Sequence, residues 1–198
     1  MKHVPDCVEH QPWSGAGSSS CLARDVPYLY FNQTKTQVPG FDQNLSQEER
    51  ELDVTSYAEW LLGFAPDEHR EFHKLFIETS ADVSGSAVYA RKCLWGFADD
   101  KGRHNNIDWP YTAFVAVSEP LKSFDCDKET FIGMYRNDDK PQAMSETRLR
   151  GRCGRFTDAI AALQVAVNLA PQASKTIVFT LGAAEDGKED AGALIRRY

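Results

Sequence analysis

Apolar and polar side chains alternate through much of the chain from residue 51 onward, and that period of two predicts strands. In residues 52–60, Leu52, Val54, Ala58 and Trp60 share one face. Residues 87–95, 111–117 and 163–169 repeat the pattern. In the last of these, Leu163, Val165, Val167 and Leu169 alternate with Gln164, Ala166 and Asn168. A further strand over 175–181 follows Pro171, and the short connection predicts that it pairs antiparallel with 163–169. Residues 72–79 carry both periods: Phe72, Leu75 and Phe76 fit a helix face, Phe76-Ile77-Glu78-Thr79 a strand, and the expectation here is a strand. Two helical pieces are expected. Residues 127–133 begin on a capping residue, Asp127, with Glu129 in the first turn, and 187–198 run from Glu189 and Asp190 to Arg196 and Arg197, as the helix dipole favours. Several strands with few helices predict a mainly β fold, an antiparallel β-sandwich.

The first fifty residues break this pattern. Residues 11–20, Gln-Pro-Trp-Ser-Gly-Ala-Gly-Ser-Ser-Ser, have the composition of a loop. Val26-Pro27-Tyr28-Leu29-Tyr30-Phe31 reads as a strand with Pro27 at its start, and Ser46-Gln47-Glu48-Glu49 as a solvated run with no apolar face. The expected division is a divergent segment over 1–50, a sandwich over 51–185 and a helical piece over 186–198.

Composition narrows the function classes. The 198 residues are 42% hydrophobic and 26% charged, an ordinary globular balance in a chain long enough to fold without disulfides or a metal. A mean hydropathy of −0.46 and the lack of any run near ~18 apolar residues exclude a membrane helix. Met1-Lys2-His3-Val4-Pro5-Asp6-Cys7 has no apolar core of the kind a secretory signal needs, so a cytoplasmic location is expected. The net charge of −7 comes wholly from residues 1–99, with 8 basic and 15 acidic side chains, while residues 100–198 carry 14 of each. Neither half is net basic, which argues against a nucleic-acid partner. Arg148, Arg150, Arg152 and Arg155 are the one basic concentration, read as a solvated loop ahead of an anion site. The five cysteines, Cys7, Cys21, Cys93, Cys126 and Cys153, are odd in number and contain no C-x-x-C pair, so reduced thiols are expected.

Candidate chemistry is sparse. His69 and His73 stand four apart with Glu71 between, but they do not form H-E-x-x-H and lack an evident third ligand; a solvated loop is the expected setting, and no metal or cofactor is assigned. Asp125 and Asp127 are read as helix-capping acids. No G-x-S-x-G elbow supports a nucleophile. The aromatic residues Trp95, Trp109 and Tyr111 are the candidate substrate-binding set, because indole and phenol rings stack on sugar C–H faces. His104, Asn105, Asn106 and Asp108 lie beside Trp109 and can bond hydroxyls. Trp95 and Trp109 equally suit a capping role on the sandwich core.

Ordered motifs then carry a resemblance. Arg50-Glu51-Leu52-Asp53-Val54-Thr55-Ser56-Tyr57-Ala58-Glu59-Trp60-Leu61-Leu62-Gly63 is similar to a signature of the glycoside hydrolase family 94 phosphorylases, once classed as glycosyltransferase family 36. In the same order follow Phe72-His73-Lys74-Leu75-Phe76-Ile77-Glu78-Thr79, Asp108-Trp109-Pro110-Tyr111-Thr112-Ala113-Phe114, Phe124-Asp125-Cys126-Asp127-Lys128-Glu129-Thr130-Phe131-Ile132-Gly133-Met134-Tyr135 and Thr176-Ile177-Val178-Phe179-Thr180-Leu181-Gly182.

The resemblance implies an N-terminal β-supersandwich, galactose-mutarotase-like, that leads through linker helices into an (α/α)6 barrel. In the family that barrel carries the acid of inverting phosphorolysis, with inorganic phosphate as co-substrate, a β-linked oligosaccharide such as cellobiose or cellodextrin as substrate, and a sugar 1-phosphate as product. It also implies a homodimer. The chain ends at Ile195-Arg196-Arg197-Tyr198, where the linker helices start, and its first fifty residues lack the family's early strands. The expectation is therefore a truncated, incomplete sandwich, inactive alone and poorly soluble through unpaired edges. A stand-alone carbohydrate-binding or dimerisation module is the alternative, as is the matching domain of a cyclic β-1,2-glucan synthase, to which Arg152-Cys153-Gly154 and Ala161-Ala162-Leu163-Gln164 are also similar.

Overall fold

Two four-stranded antiparallel sheets face one another in the computed structural model, which describes residues 28–33, 44, 46–63, 70–93, 110–185 and 187–197. In chain order the elements are β1 (Tyr28–Gln33), β2 (Arg50–Glu59), α1 (Arg70–Lys74), β3 (Ile77–Asp82), β4 (Ala87–Lys92), β5 (Thr112–Val117), β6 (Leu121–Asp127), α2 (Lys128–Ile132), a 3-10 turn (Gln142–Ser145), β7 (Ala159–Leu169), β8 (Phe179–Ala184) and α3 (Lys188–Ile195). The first sheet has the order β1-β2-β7-β6 and the second β3-β4-β5-β8. The spine of the first sheet is the long β2–β7 ladder, in register from Arg50 opposite Leu169 to Glu59 opposite Ile160.

That register explains the alternation in the sequence. Because successive side chains in a strand point to opposite faces, Leu163, Val165, Val167 and Leu169 all enter the core between the sheets. There they meet Val54 of β2 and Val88, Ala113, Val115 and Val117 of the second sheet. The outer faces are covered as well. Phe131 and Ile132 of α2, with Ala143 and Leu149, pack on Tyr57, Ile160 and Ala162. Ala191, Leu194 and Ile195 of α3 pack on Tyr89, Phe114 and Ala116 of the second sheet. Gly182 is part of that second fit, because a Cβ there would lie 2.5 Å from the Phe114 ring.

One strip of irregular chain joins the sheets. The Gly151 N–H donates to the Phe124 carbonyl at 2.8 Å and the Cys126 N–H to the Arg152 carbonyl at 2.9 Å, so the strip runs along the β6 edge. Farther on, the Thr79 N–H donates to the Gly154 carbonyl at 2.7 Å, and Glu78 and Arg155 form an antiparallel bridge with β3. The β6 edge and the β3 edge are thereby both covered by the same few residues, which is how a sandwich avoids offering bare edges to other chains.

The sandwich, the strands near 52–60, 87–92 and 112–117, and the two helices after Asp127 and Gly187 agree with the sequence reading. Three expectations are corrected. First, β7 and β8 do not pair: β7 lies between β2 and β6, while β8 pairs with β5 in the opposite sheet, so the short connection crosses between layers. Second, residues 72–79 divide, with Phe72 and His73 in α1 and Ile77 onward in β3. Third, β6 is a strand that the alternation does not announce, because its pairing with β7 is irregular between Leu121 and Ser123. Among the described residues no helix is long and apolar enough to cross a membrane.

Because Leu163 is fully buried at the centre of the inner face, Leu163→Ala is expected to lower stability by about 2–5 kcal/mol. Val83→Ala, at a position 57% exposed, is expected to change it by less than about 0.5 kcal/mol. Urea unfolding followed by circular dichroism checks both.

Candidate functional site

The outer face of the first sheet holds the densest set of ionisable side chains among those described. On β2, Asp53 and Glu59 each meet a lysine far away in sequence. Asp53, 3% exposed, accepts from Lys122 Nζ on both carboxylate oxygens at 2.6 Å. Glu59 accepts from the Tyr57 hydroxyl at 2.9 Å and pairs with Lys128 at the start of α2 and with Lys74 of α1 at 3.5 Å. Burial raises the Glu59 carboxyl, but the hydrogen bond and charge of Lys128 outweigh it, and the group titrates below the usual glutamate value. Asp53 and Glu59 are thus held in structural ion pairs. Glu48, Glu49 and Glu51 do lie exposed.

Asp125 and Asp127 flank Cys126 and do different work. Asp127 caps α2, accepting from the Glu129 N–H at 3.1 Å and the Thr130 hydroxyl at 2.7 Å, and pairs with Arg152 at 2.7 Å. Asp125 is 1% exposed and accepts from the Asp127 N–H at 3.2 Å. Burial pushes its carboxyl up to about 6, against the lowering pull of the Asp127 and Cys126 N–H groups. Beside them, the Ser123 hydroxyl donates to Gln164 Oε1 at 2.6 Å and accepts from the Leu149 N–H. Thr55 and Gln164 oppose one another in register, fully buried, with Thr55 Oγ1 and Gln164 Nε2 unpaired. Among the described residues this face is polar packing, with no nucleophile set against a base.

The remaining candidates are also engaged. Arg150 pairs with Glu146 at 3.0 Å, Arg152 with Asp127, and Arg155 with Glu78 at 3.1 Å, while Arg148 donates to the Lys122 carbonyl. The four arginines lie exposed on irregular chain, as expected of a solvated loop, and their surface contacts also tie the strip to its neighbours. His73 is buried, not solvated, with Nδ1 3.1 Å from the Leu62 carbonyl oxygen. His69 lies outside the described residues. Lys92, 1% exposed, donates to the carbonyls of Phe72 and Leu75 at 2.9 and 3.2 Å, and burial pushes its amine down to about 8. Burial likewise pushes the Cys126 thiol up to about 12, which makes it unreactive. Among the described residues no group of three or more His, Cys, Asp or Glu side chains is placed to hold a metal ion.

Of the three aromatics expected to bind sugar, Trp95 and Trp109 lie outside the described residues, and Tyr111 is half-buried and packs against the inter-sheet core. Where the three stand relative to one another therefore falls outside the described residues. The structure leaves another ring in the open: Tyr135, 99% exposed, in the turn that follows α2. Sequence reading missed it because exposure is not a property of local composition. The signal that was present is Gly133, a helix-ending residue two positions before it.

The comparisons with known proteins enter at this point. Residues 43–198 match the family model described as the glycosyl hydrolase 94 supersandwich domain. No curated protein matches the chain.

Asp125 generates a pH prediction. Its folded value of about 6 lies above the ordinary 3.8, so its neutral form favours the fold. That contribution is fully present below about pH 4 and is lost as pH rises through 6. Asp125→Asn keeps an acceptor and cannot ionise. It is expected to be more stable than the parent by about 1–3 kcal/mol at pH 7, with the gap closing below about pH 4. Urea midpoints measured across that range check it.

Proposed function

The chain belongs to the glycosyl hydrolase 94 family through its supersandwich domain, and from that premise we propose that it serves as the non-catalytic sandwich of a glycoside phosphorylase acting on β-linked glucosyl saccharides. In this reading the whole reaction is an inverting glycosyl transfer to inorganic phosphate, yielding a sugar 1-phosphate. It needs an acid poised at the glycosidic oxygen and a cationic cradle for phosphate. The reading assigns both to residues outside this sandwich, so the chain alone is inactive, and it includes self-association of the sandwich in the working enzyme. A cytoplasmic setting accords with the free thiols of Cys126 and Cys153.

One observation carries the assignment of chemistry elsewhere. The carboxylates of Asp53, Glu59 and Asp127 are already bonded within the fold. A general acid requires a carboxyl facing the substrate, and Asp125, the acid that titrates nearest neutrality, is enclosed by packing.

Incubating the purified chain with cellobiose or cellodextrins and inorganic phosphate tests the reading. No glucose 1-phosphate is expected. Its enzyme-dependent formation contradicts the non-catalytic assignment.

A further inference from the structure

β8 ends the second sheet on a bare edge. In the order β3-β4-β5-β8 its neighbour is β5, and their register is unbroken from Thr112 opposite Ala184 to Val117 opposite Phe179. The Ser118 N–H donates to the Val178 carbonyl at 2.9 Å, so the even residues of β8 turn their backbone groups to β5. Those of Phe179, Leu181 and Ala183 point the other way, and among the described residues no backbone group meets them. The side chains of the same three residues are half-buried and pack on the inter-sheet core.

Sheets protect an edge of this kind with charge, proline, a bulge or a covering segment. β6 carries register shifts and, like β3, lies under the strip near Gly151 and Arg155. β8 has none of these devices. Phe179-Thr180-Leu181-Gly182-Ala183-Ala184 contains no charged residue and no proline, its ladder is regular, and no backbone of the described residues covers it. Such a row of free N–H and C=O groups is a template for one more strand.

The charges at the two ends of the segment select which strand. Lys175 and Glu185 are both exposed and stand symmetrically about Thr180. A second β8, laid antiparallel about a two-fold axis at Thr180, sets Lys175 of each copy towards Glu185 of the other. The same register places Phe179 opposite Leu181 of the second copy, and both turn their backbone groups to the shared edge. A two-fold contact also closes on itself, because each copy uses its β8 edge on the other.

We propose that β8 is a self-association edge: two copies pair β8 to β8, antiparallel and centred on Thr180, and join their second sheets into one continuous sheet. The proposal rests on the self-association included under Proposed function and names the surface and register that make it.

Sedimentation equilibrium of the full 198-residue chain, with charged variants at Thr180, tests it. In this register the two Thr180 side chains stand directly opposite one another. Thr180→Lys and Thr180→Glu are each expected to weaken the dimer by at least about tenfold, through like charges placed face to face, and an equimolar mixture of the two to restore it. Recovery in the mixture shows that folding is not the cause, and weakening that the mixture does not reverse contradicts the register. In the parent, amide exchange at Phe179, Leu181 and Ala183 is expected to slow as association proceeds, a readout that needs no variant. If the parent dimerises while neither substitution weakens it and those three N–H groups exchange alike in monomer and dimer, the edge is wrong and self-association stands at another surface. Assembly that continues past the dimer contradicts the two-fold contact. If the parent stays monomeric across a wide range of concentration, the edge and the self-association both fall.

Discussion

The strip over residues 149–155 is the constraint on which the sandwich depends. Two sheets that share no strand are held by their dry inner faces, and an uncovered seam admits water to that core. Backbone groups of the strip bond to β6 at Phe124 and Cys126 and to β3 at Thr79, so the β6–β3 side of the seam is closed by hydrogen bonds. The Thr79 hydroxyl strengthens the closure, donating to the Gly154 carbonyl at 2.9 Å and accepting from the Gly154 N–H at 3.0 Å. Because the strip lies between the sheets, its arginines reach carboxylates on each: Arg152 finds Asp127 beside the first sheet and Arg155 finds Glu78 on the second.

Charge in this molecule therefore works as fastening. Glu59 illustrates it at the other end of β2, where one carboxylate gathers the Tyr57 hydroxyl, Lys74 of α1 and Lys128 of α2. Lys92 does the same without a counter-ion among the described residues, using its ammonium on the Phe72 and Leu75 carbonyls and beneath the Phe72 ring, 4.7 Å from its centroid.

The sequence was most legible where one strand buries one face. β2 and β7 announce themselves because their ladder is regular and their inner residues are Leu and Val. β6 was hidden because its irregular pairing puts Leu121, Phe124 and Cys126 against the core at uneven spacing, a pattern that no period of two detects. The mistaken β7–β8 hairpin came from treating nearness in sequence as nearness in the sheet, whereas residues 170–178 pass from one layer to the other. The ion pairs of Asp53 and Glu59 are hidden for a related reason. Lys122 and Lys128 each lie 69 positions from the carboxylate they meet, and no local window shows such a pairing. Family likeness carried what local pattern did not, since its motifs span 50–182 in order, within the matched residues 43–198.

The claim that the strip closes the sandwich has a direct measurement in native-state amide hydrogen exchange on the purified chain. The account predicts that the N–H groups of Thr79, Cys126, Gly151 and Gly154 exchange as slowly as those of Leu163 and Val165 in β7, opening only with global unfolding. Exchange of those four at the rates of a solvent-exposed loop, while β7 stays protected, would contradict it.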